Sequence, residues 1–249
     1  MILAIDIGNT NMAVGLFDGF NLFRKKSFRT DSLVDENAVL KVLKGFRSAG
    51  VDGVIIASVV PRLSRVVARA VSVLYGVTPL KVTRRMNTGL RIKIDNPAEL
   101  GADRIVNAVY GFHVYGGPLL LIDFGTATTL CAVTACGDYI GGAIMPGIEL
   151  SADALAQKAA RLNRISLEGP LPDIGKNTVE SMRLGLIEGH AGAVLHVAKR
   201  ILPHLGRKKS TVVATGGLAS VMAERIPVID TVDQDLTLKG LCYLAQGYD

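Results

Sequence analysis

The chain is poor in the residues that mark several specialised protein classes. It has no Trp, and only 7 Phe and 6 Tyr among 249 residues, so its core must be built from Val, Leu, Ile and Ala. Its three cysteines, Cys131, Cys136 and Cys242, are odd in number and lack metal-site spacing. They fit a reducing compartment, where disulfides are rare. Apolar runs are short and are broken by Asp or Gly, which excludes a membrane-spanning helix.

Composition and charge indicate a globular protein with a modestly basic surface. The length allows two domains, and 49% hydrophobic with 20% charged residues is typical of folded chains. The net charge of +6 includes one compact basic run, Arg207-Lys208-Lys209, which lacks interleaved aromatics. We interpret this run as a solvated loop, expect no nucleic acid partner, and note that a basic surface suits anionic small substrates. Met1 leads directly into a strand, so we expect no signal peptide and a cytoplasmic location.

A short motif occurs twice in the chain. The segment Asp6-Ile7-Gly8-Asn9-Thr10-Asn11 follows the apolar run 1–5, and Asp123-Phe124-Gly125-Thr126-Ala127-Thr128 follows the apolar run 119–122. Each leads into a second apolar strand and then a turn signal, Asp18-Gly19 or Gly137-Asp138. The pattern predicts a strand–loop–strand hairpin that is used twice.

The chemistry of this motif suits a phosphate chain with its cation. A carboxylate can hold a metal ion directly or through water. A Gly lets the backbone approach closely, and backbone N–H groups with Thr or Asn side chains donate to phosphate oxygens. We therefore interpret the two copies as a duplicated nucleotide-binding cradle; two unrelated turns are the alternative.

Hydrophobic periodicity gives an outline of the fold. Strands are predicted at 1–6, 12–18, 21–29, 53–58, 79–83, 119–123, 129–135, 139–143 and 211–215. Helices are predicted at 35–49, 61–75, 101–115, 148–162, 177–203, 217–225 and 236–247. Hairpins lead each half and helices follow, which predicts an α/β fold with mixed sheets and a domain boundary at Gly116-Gly117-Pro118.

Three further segments carry candidate functions. Gly175-Lys176-Asn177-Thr178 lacks the leading Gly of a P-loop and instead predicts a helix start, which could also bind an anion. Thr215-Gly216-Gly217 predicts a strand-to-helix turn, with or without close approach to a nucleotide. Gly101-Ala102-Asp103-Arg104 opens a helix. Its acidic residue could simply favour the helix dipole, or Asp103 and Arg104 could serve as a base and an anion clamp for phosphoryl transfer.

Across its whole length the chain closely resembles the type III pantothenate kinases of the acetate and sugar kinase/Hsp70/actin superfamily. The resemblance rests on AIDIGNTN at 4–11, SVVP at 58–61, NPAELGADRIVNA at 96–108, LIDFGTATT at 121–129, GGAIMPG at 141–147, GKNTVESMRLG at 175–185, ATGG at 214–217 and DLTLKGL at 235–241. Together these motifs are highly specific.

The resemblance implies two ribonuclease H-like domains, 1–116 with the first phosphate loop and the GADR segment, and 117–249 with the second loop and dimer helices. It implies ATP bound in the cleft between the domains, pantothenate as acceptor, a homodimer, Mg²⁺, and a monovalent cation, K⁺ or NH₄⁺. The matching ATP-binding residues are Asp6, Ile7, Gly8, Asn9, Thr10, Asn11, Met12, Ala13 and Thr126; the substrate-binding residues are Gly101, Ala102, Asp103, Arg104 and Thr178. Asp103 matches the catalytic base, Asp123 the monovalent-cation ligand, and Asp6 a residue near Mg²⁺.

Three positions depart from the family pattern. Ile94 replaces a common Tyr, Ala159 a Thr and Asn163 a Pro, all in regions that bear on acceptor contacts.

The expected activity is phosphorylation of pantothenate to 4′-phosphopantothenate, the first step of coenzyme A synthesis. Two alternatives stay open: a kinase for another small alcohol, and a non-catalytic transcription accessory factor of the same fold.

Overall fold

The computed structural model describes residues 1–47, 50–83, 86, 88–159, 162–206 and 208–247. They form two compact units. Unit 1 comprises Met1–Val114 together with the C-terminal segment from Asp235, and unit 2 comprises Tyr115–Gln234. The division after Val114 lies close to the predicted boundary at 116. The C-terminal helix was expected in the second domain, but the structure places it in unit 1.

Unit 1 is built on a mixed sheet. Its strands are β1 (Ile2–Ile7), β2 (Asn11–Asp18), β3 (Asn21–Arg29), β4 (Gly53–Ser58) and β5 (Leu80–Lys81), in the order β3-β2-β1-β4-β5. The neighbours β1/β2 and β2/β3 are antiparallel, whereas β1/β4 and β4/β5 are parallel. A further two-residue strand, β6 (Arg91–Ile92), follows in the chain.

Helices cover the sheet of unit 1. They are α1 (Glu36–Lys44), α2 (Pro61–Tyr75), α3 (Ala102–Tyr115) and, at the C-terminal end, α7 (Leu236–Gln246). Alternate residues of β1, such as Leu3 and Ile5, share one buried cluster with Val39 of α1 and Val67 of α2. Helix α7 packs on β1, β2 and β4, and its Gly240 lies so close to α3 that a β-carbon there would be 2.7 Å from Val106 Cγ1. These contacts explain why α7 belongs to unit 1.

Unit 2 repeats the same topology. Its strands are β7 (Leu119–Phe124), β8 (Ala127–Val133), β9 (Asp138–Pro146), β10 (Thr211–Thr215) and β11 (Thr231–Val232), and they run in the order β11-β10-β7-β8-β9. The pairs β7/β8 and β8/β9 are antiparallel, and β7/β10 and β10/β11 are parallel. The helices are α4 (Ile148–Lys158), α5 (Thr178–Ile201) and α6 (Ala219–Ala223). Two mixed sheets with flanking helices confirm the predicted α/β fold class.

Most predicted elements are present, with shifted ends. Helix α1 ends at Lys44, before Gly45, and Phe46 is buried just beyond it. Residues 48 and 49 of that predicted helix, 160 and 161 of the helix predicted at 148–162, Arg207 of the basic run, and 248 and 249 lie outside the described residues. Among the helices that the structure describes, none has the length and apolar character needed to cross a bilayer.

Candidate active site

The first loop joins β1 to β2 and carries the predicted ATP-binding residues. Asp6 is the penultimate residue of β1 and pairs with Ala13 on β2. The loop is closed by the backbone N–H of Gly8, which donates to the carbonyl of Asn11 at 2.9 Å. The predicted hairpin is therefore confirmed, and Asp6 is placed where the strand gives way to the loop.

Two carbonyl groups of this loop accept hydrogen bonds from Thr30. Gly8 O accepts from the Thr30 hydroxyl, and Thr10 O accepts from the Thr30 backbone N–H, both at 2.8 Å. By contrast, the exposed Asn9 makes no hydrogen bond within the described part of the chain, so its N–H is open to a ligand. A loop with engaged carbonyls and an open N–H group presents donors to an anion.

The second loop joins β7 to β8 in the same way. Phe124 pairs with Thr128, and the turn residues Gly125 and Thr126 are exposed. The backbone N–H of Gly147 donates to the carbonyl of Thr126 at 3.0 Å. The second predicted hairpin is therefore also confirmed, and its turn rests on the residue that follows β9.

Asp123 occupies the position in unit 2 that Asp6 occupies in unit 1. It is the penultimate residue of β7, half-buried, and pairs with Thr215 of the parallel strand β10. A β-carbon built on Gly216 would lie 2.6 Å from Asp123 Oδ1, and one on Gly125 would lie 3.6 Å from the same oxygen. The carboxylate thus lies between two glycine backbones, in space that any larger residue would fill.

This surrounding fits a bound cation. A carboxylate oxygen is a hard ligand for a cation. Because residue 216 is a glycine, with a φ of +95°, it places no methyl group beside the Asp123 carboxylate. Among the described residues, no group of three or more His, Cys, Asp or Glu side chains is placed to hold a metal ion. A cation at Asp123 or Asp6 would therefore take most of its ligands from backbone, phosphate or water oxygens.

The GADR segment begins helix α3 in unit 1. The N–H of Ile105 donates to the carbonyl of Gly101 at 3.1 Å, which makes Gly101 the first residue of the helical hydrogen-bond pattern. Asp103 lies in the first turn, and a β-carbon on Gly101 would be 2.5 Å from its Oδ1. Within the described residues, the half-buried carboxylate of Asp103 has no hydrogen-bond or ion-pair partner. It is therefore available to a ligand.

The same contacts bring the GADR segment to the edge of the first loop. A β-carbon on Gly101 would lie 4.0 Å from Val59 Cγ1, and the N–H of Val59 donates to the carbonyl of Ile7 at 3.0 Å. Ile7 ends β1 and immediately precedes the loop. The sequence separates these residues widely, and the structure places them at the same end of the unit 1 sheet.

Thr178 stands apart from the other candidate residues of unit 2. It is the exposed first residue of α5, after Asn177, whose side chain caps the helix by accepting from the Glu180 N–H at 2.9 Å. The predicted helix start is confirmed. Thr178 is about 18 Å along the helix axis from His190, which is the α5 residue that touches the second hairpin.

The contact between His190 and the second hairpin was not predicted from the sequence. The Nε2 of His190 is hydrogen-bonded to the hydroxyl of Thr128 at 2.9 Å, and its ring packs edge-on against Phe124 at 6.3 Å. Phe124 and Thr128 form the pair that closes the second loop, so His190 supports that loop from helix α5. Burial lowers the pKa of His190. The signal in the sequence was its place on the buried stripe of α5, four residues from Leu186 and Val194.

Each unit combines a mixed sheet with a glycine-containing hairpin loop after its first strand, and solved structures share this fold. A putative Baf family transcriptional activator from Campylobacter jejuni has a TM-score of 0.63 at 17% identity, covering 97% of this chain and 96% of that one. The ethanolamine utilization protein EutJ from Carboxydothermus hydrogenoformans has a TM-score of 0.56 at 16% identity, covering 98% and 89%. At these identities the likeness shows the fold alone.

Sequence comparison identifies the family. Residues 2–200 match the type III pantothenate kinase family. A type III pantothenate kinase from Bacillus cytotoxicus (strain DSM 22905 / CIP 110041 / 391-98 / NVH 391-98) is 42% identical over 250 aligned positions, covering 98% of this chain and 95% of that protein. The chain belongs to the type III pantothenate kinase family.

Proposed function

We propose that this protein transfers the γ-phosphoryl group of ATP to pantothenate and so makes 4′-phosphopantothenate, the entry compound of coenzyme A synthesis. The observation that carries this proposal is the 42% identity to a type III pantothenate kinase along 98% of the chain. The candidate base and both loop carboxylates are present within that span. A kinase is therefore favoured over the non-catalytic accessory factor.

Asp103 is the proposed catalytic base. Phosphoryl transfer to an alcohol needs a carboxylate that orients the hydroxyl and accepts its proton. Asp103 is half-buried and has no partner among the described residues. Its neighbour Gly101 approaches Val59, whose N–H donates to the carbonyl of Ile7, where β1 ends and the first loop begins. Gly101, Ala102, Arg104 and Thr178 are the proposed contacts to pantothenate, with Arg104 suited to the acceptor's carboxylate or to phosphate.

The two loops are the proposed phosphate contacts. In the first, Asp6 to Ala13 offer the open N–H of Asn9 and the small residue Gly8; in the second, Thr126 occupies the exposed turn. Mg²⁺ and a monovalent cation, when bound, offset the negative charge of the phosphates. Asp6 would hold Mg²⁺, and Asp123, between Gly125 and Gly216, would hold the monovalent cation. The protein's own part is to fix these carboxylates at strand ends, so that they need no rearrangement when ATP binds.

A homodimer is proposed through helix α5. Gly189, Gly192 and Ala193 lie exposed on one side of this helix, and a β-carbon on either glycine would meet nothing within 4 Å. Small residues let a second helix approach closely, and a twofold contact would bring the same patch of both chains together. Light scattering should give twice the 26.4 kDa chain mass, and Gly189→Glu should give a monomer. A wild-type monomer with full activity would contradict the proposal.

The decisive experiment is an ADP-release assay with pantothenate, with and without K⁺. Turnover that requires both pantothenate and K⁺ supports the proposal. Turnover with another small alcohol, but not with pantothenate, would favour a different acceptor and give weight to Ile94, where relatives often have Tyr. No turnover with any acceptor, despite ATP binding, would favour the accessory factor.

A further inference from the structure

Both loops receive a hydrogen bond from the residue that follows the third strand of their unit. In unit 1 the residue after β3 is Thr30, and its N–H donates to Thr10 O at 2.8 Å. In unit 2 the residue after β9 is Gly147, and its N–H donates to Thr126 O at 3.0 Å. Thr30 and Gly147 therefore occupy equivalent positions in the two units, and this backbone hydrogen bond is common to both loops.

The side chains at these two equivalent positions differ. The hydroxyl of Thr30 donates a second hydrogen bond, at 2.8 Å, to Gly8 O, while a side chain at Gly147 would overlap the carbonyl oxygens of Gly125 and Thr126. The second loop is thus held by close backbone packing. The first loop has a side-chain hydrogen bond in the same place.

We propose that Thr30 is a positioning residue for ATP, which acts by fixing the peptide planes of the first loop. This inference rests on the proposed function, in which the loop contacts phosphate. A peptide plane is rigid, so holding the carbonyl of Gly8 toward Thr30 turns the N–H of the next residue, Asn9, to the opposite side. That N–H is the one without a partner in the described residues. Thr30 therefore orients the N–H of Asn9 toward the nucleotide without contacting the nucleotide itself.

Alternative roles for Thr30 are separable from this one. Thr30 is half-buried and begins the short 3-10 turn Thr30–Ser32, so its hydroxyl could merely stabilise that turn. Ser32 offers a matched control, because its hydroxyl donates to Arg29 O at 2.6 Å, within the same turn, and not to a carbonyl of the first loop. A turn-stabilising effect would be common to both residues, whereas an effect on nucleotide would belong to Thr30 alone.

The test compares Thr30→Val, Thr30→Ser and Ser32→Ala with the wild type. Valine keeps the branched shape and the backbone N–H but removes the hydroxyl donor; serine restores it. Loss of one hydrogen bond should weaken ADP binding in calorimetry and raise KM for ATP about 3- to 10-fold in Thr30→Val. Thr30→Ser and Ser32→Ala should stay within about twofold of wild type, with KM for pantothenate unchanged in all three.

The outcomes separate this inference from the proposed function. If Thr30→Val melts lower but keeps the wild-type Kd for ADP and KM for ATP, Thr30 is structural and the inference is overturned. If the wild type binds ADP but does not phosphorylate pantothenate, the proposed acceptor fails, and the ADP affinities of the variants still decide the role of Thr30. If the wild type binds no ADP, both proposals fail.

Discussion

The replacement Asp103→Asn tests the centre of the proposed mechanism. Asparagine has nearly the same shape as aspartate but cannot accept a proton at neutral pH. A positioned general base contributes about 10²- to 10⁴-fold in rate, so kcat for pantothenate phosphorylation should fall by that factor. The affinity for ADP should be unchanged, because Asp103 lies on helix α3 and not in either of the proposed phosphate loops.

The structure limits the accompanying loss of stability. Asp103 has no hydrogen-bond or ion-pair partner among the described residues, so its replacement breaks no such contact. What remains is its favourable interaction with the N-terminal end of the α3 dipole, worth about 0.3–1 kcal/mol. For a chain of this size that corresponds to a fall in Tm of at most about 4 °C.

Glu36 supplies the matched control for Asp103. It is also an acidic residue in the first turn of a helix of unit 1, and it is half-buried like Asp103. Glu36→Gln should show the same small change in Tm with wild-type kcat. If Asp103→Asn instead keeps full kcat and melts lower, then Asp103 is a structural helix-end residue, and the mechanism proposed above is wrong.

Three further predictions concern unit 2. Asp123→Ala should abolish activation by K⁺ and leave a folded protein; unchanged K⁺ dependence would place the cation elsewhere. Burial lowers the pKa of His190, so the unfolded chain binds its proton more readily. The free energy of unfolding should therefore fall as pH drops below about 6.5, less so in His190→Gln, with the exposed His196→Gln as control. Gly147→Ala should weaken ADP binding, since its methyl group would overlap the carbonyls of Gly125 and Thr126.

Local structure was largely predictable because it depends on neighbouring residues. Helix α2 begins at Pro61 and ends before Gly76, which has a φ of +70°, and both residues are standard signals for those positions. The two hairpins followed from apolar runs on either side of a glycine loop. Strands β6 and β11, each of only two residues, were not predicted.

Contacts between distant residues were not predictable in the same way. The hydrogen bond between Thr128 and His190 spans 62 residues, and that of Thr30 with Gly8 spans 22. Nothing in the local sequence indicates either partner. The position of α7 in unit 1 likewise depends on its fit to β1, β2 and β4, and on the close approach of Gly240 to Val106. Linear order had suggested the other domain.

The two loops are alike in sequence but are supported by different contacts. Both pair a penultimate Asp with a glycine turn, and both receive a backbone hydrogen bond from the residue after the third strand. In unit 1 the Thr30 hydroxyl adds a directional contact, whereas in unit 2 the bare backbone of Gly147 packs against the turn. A hydrogen bond can be lost and restored by small changes at one side chain, but a backbone contact without room for a methyl group cannot adjust. We therefore expect substitutions at Thr30 to change the proposed phosphate contacts of the first loop by degrees, whereas any side chain at Gly147 should displace the turn of the second loop.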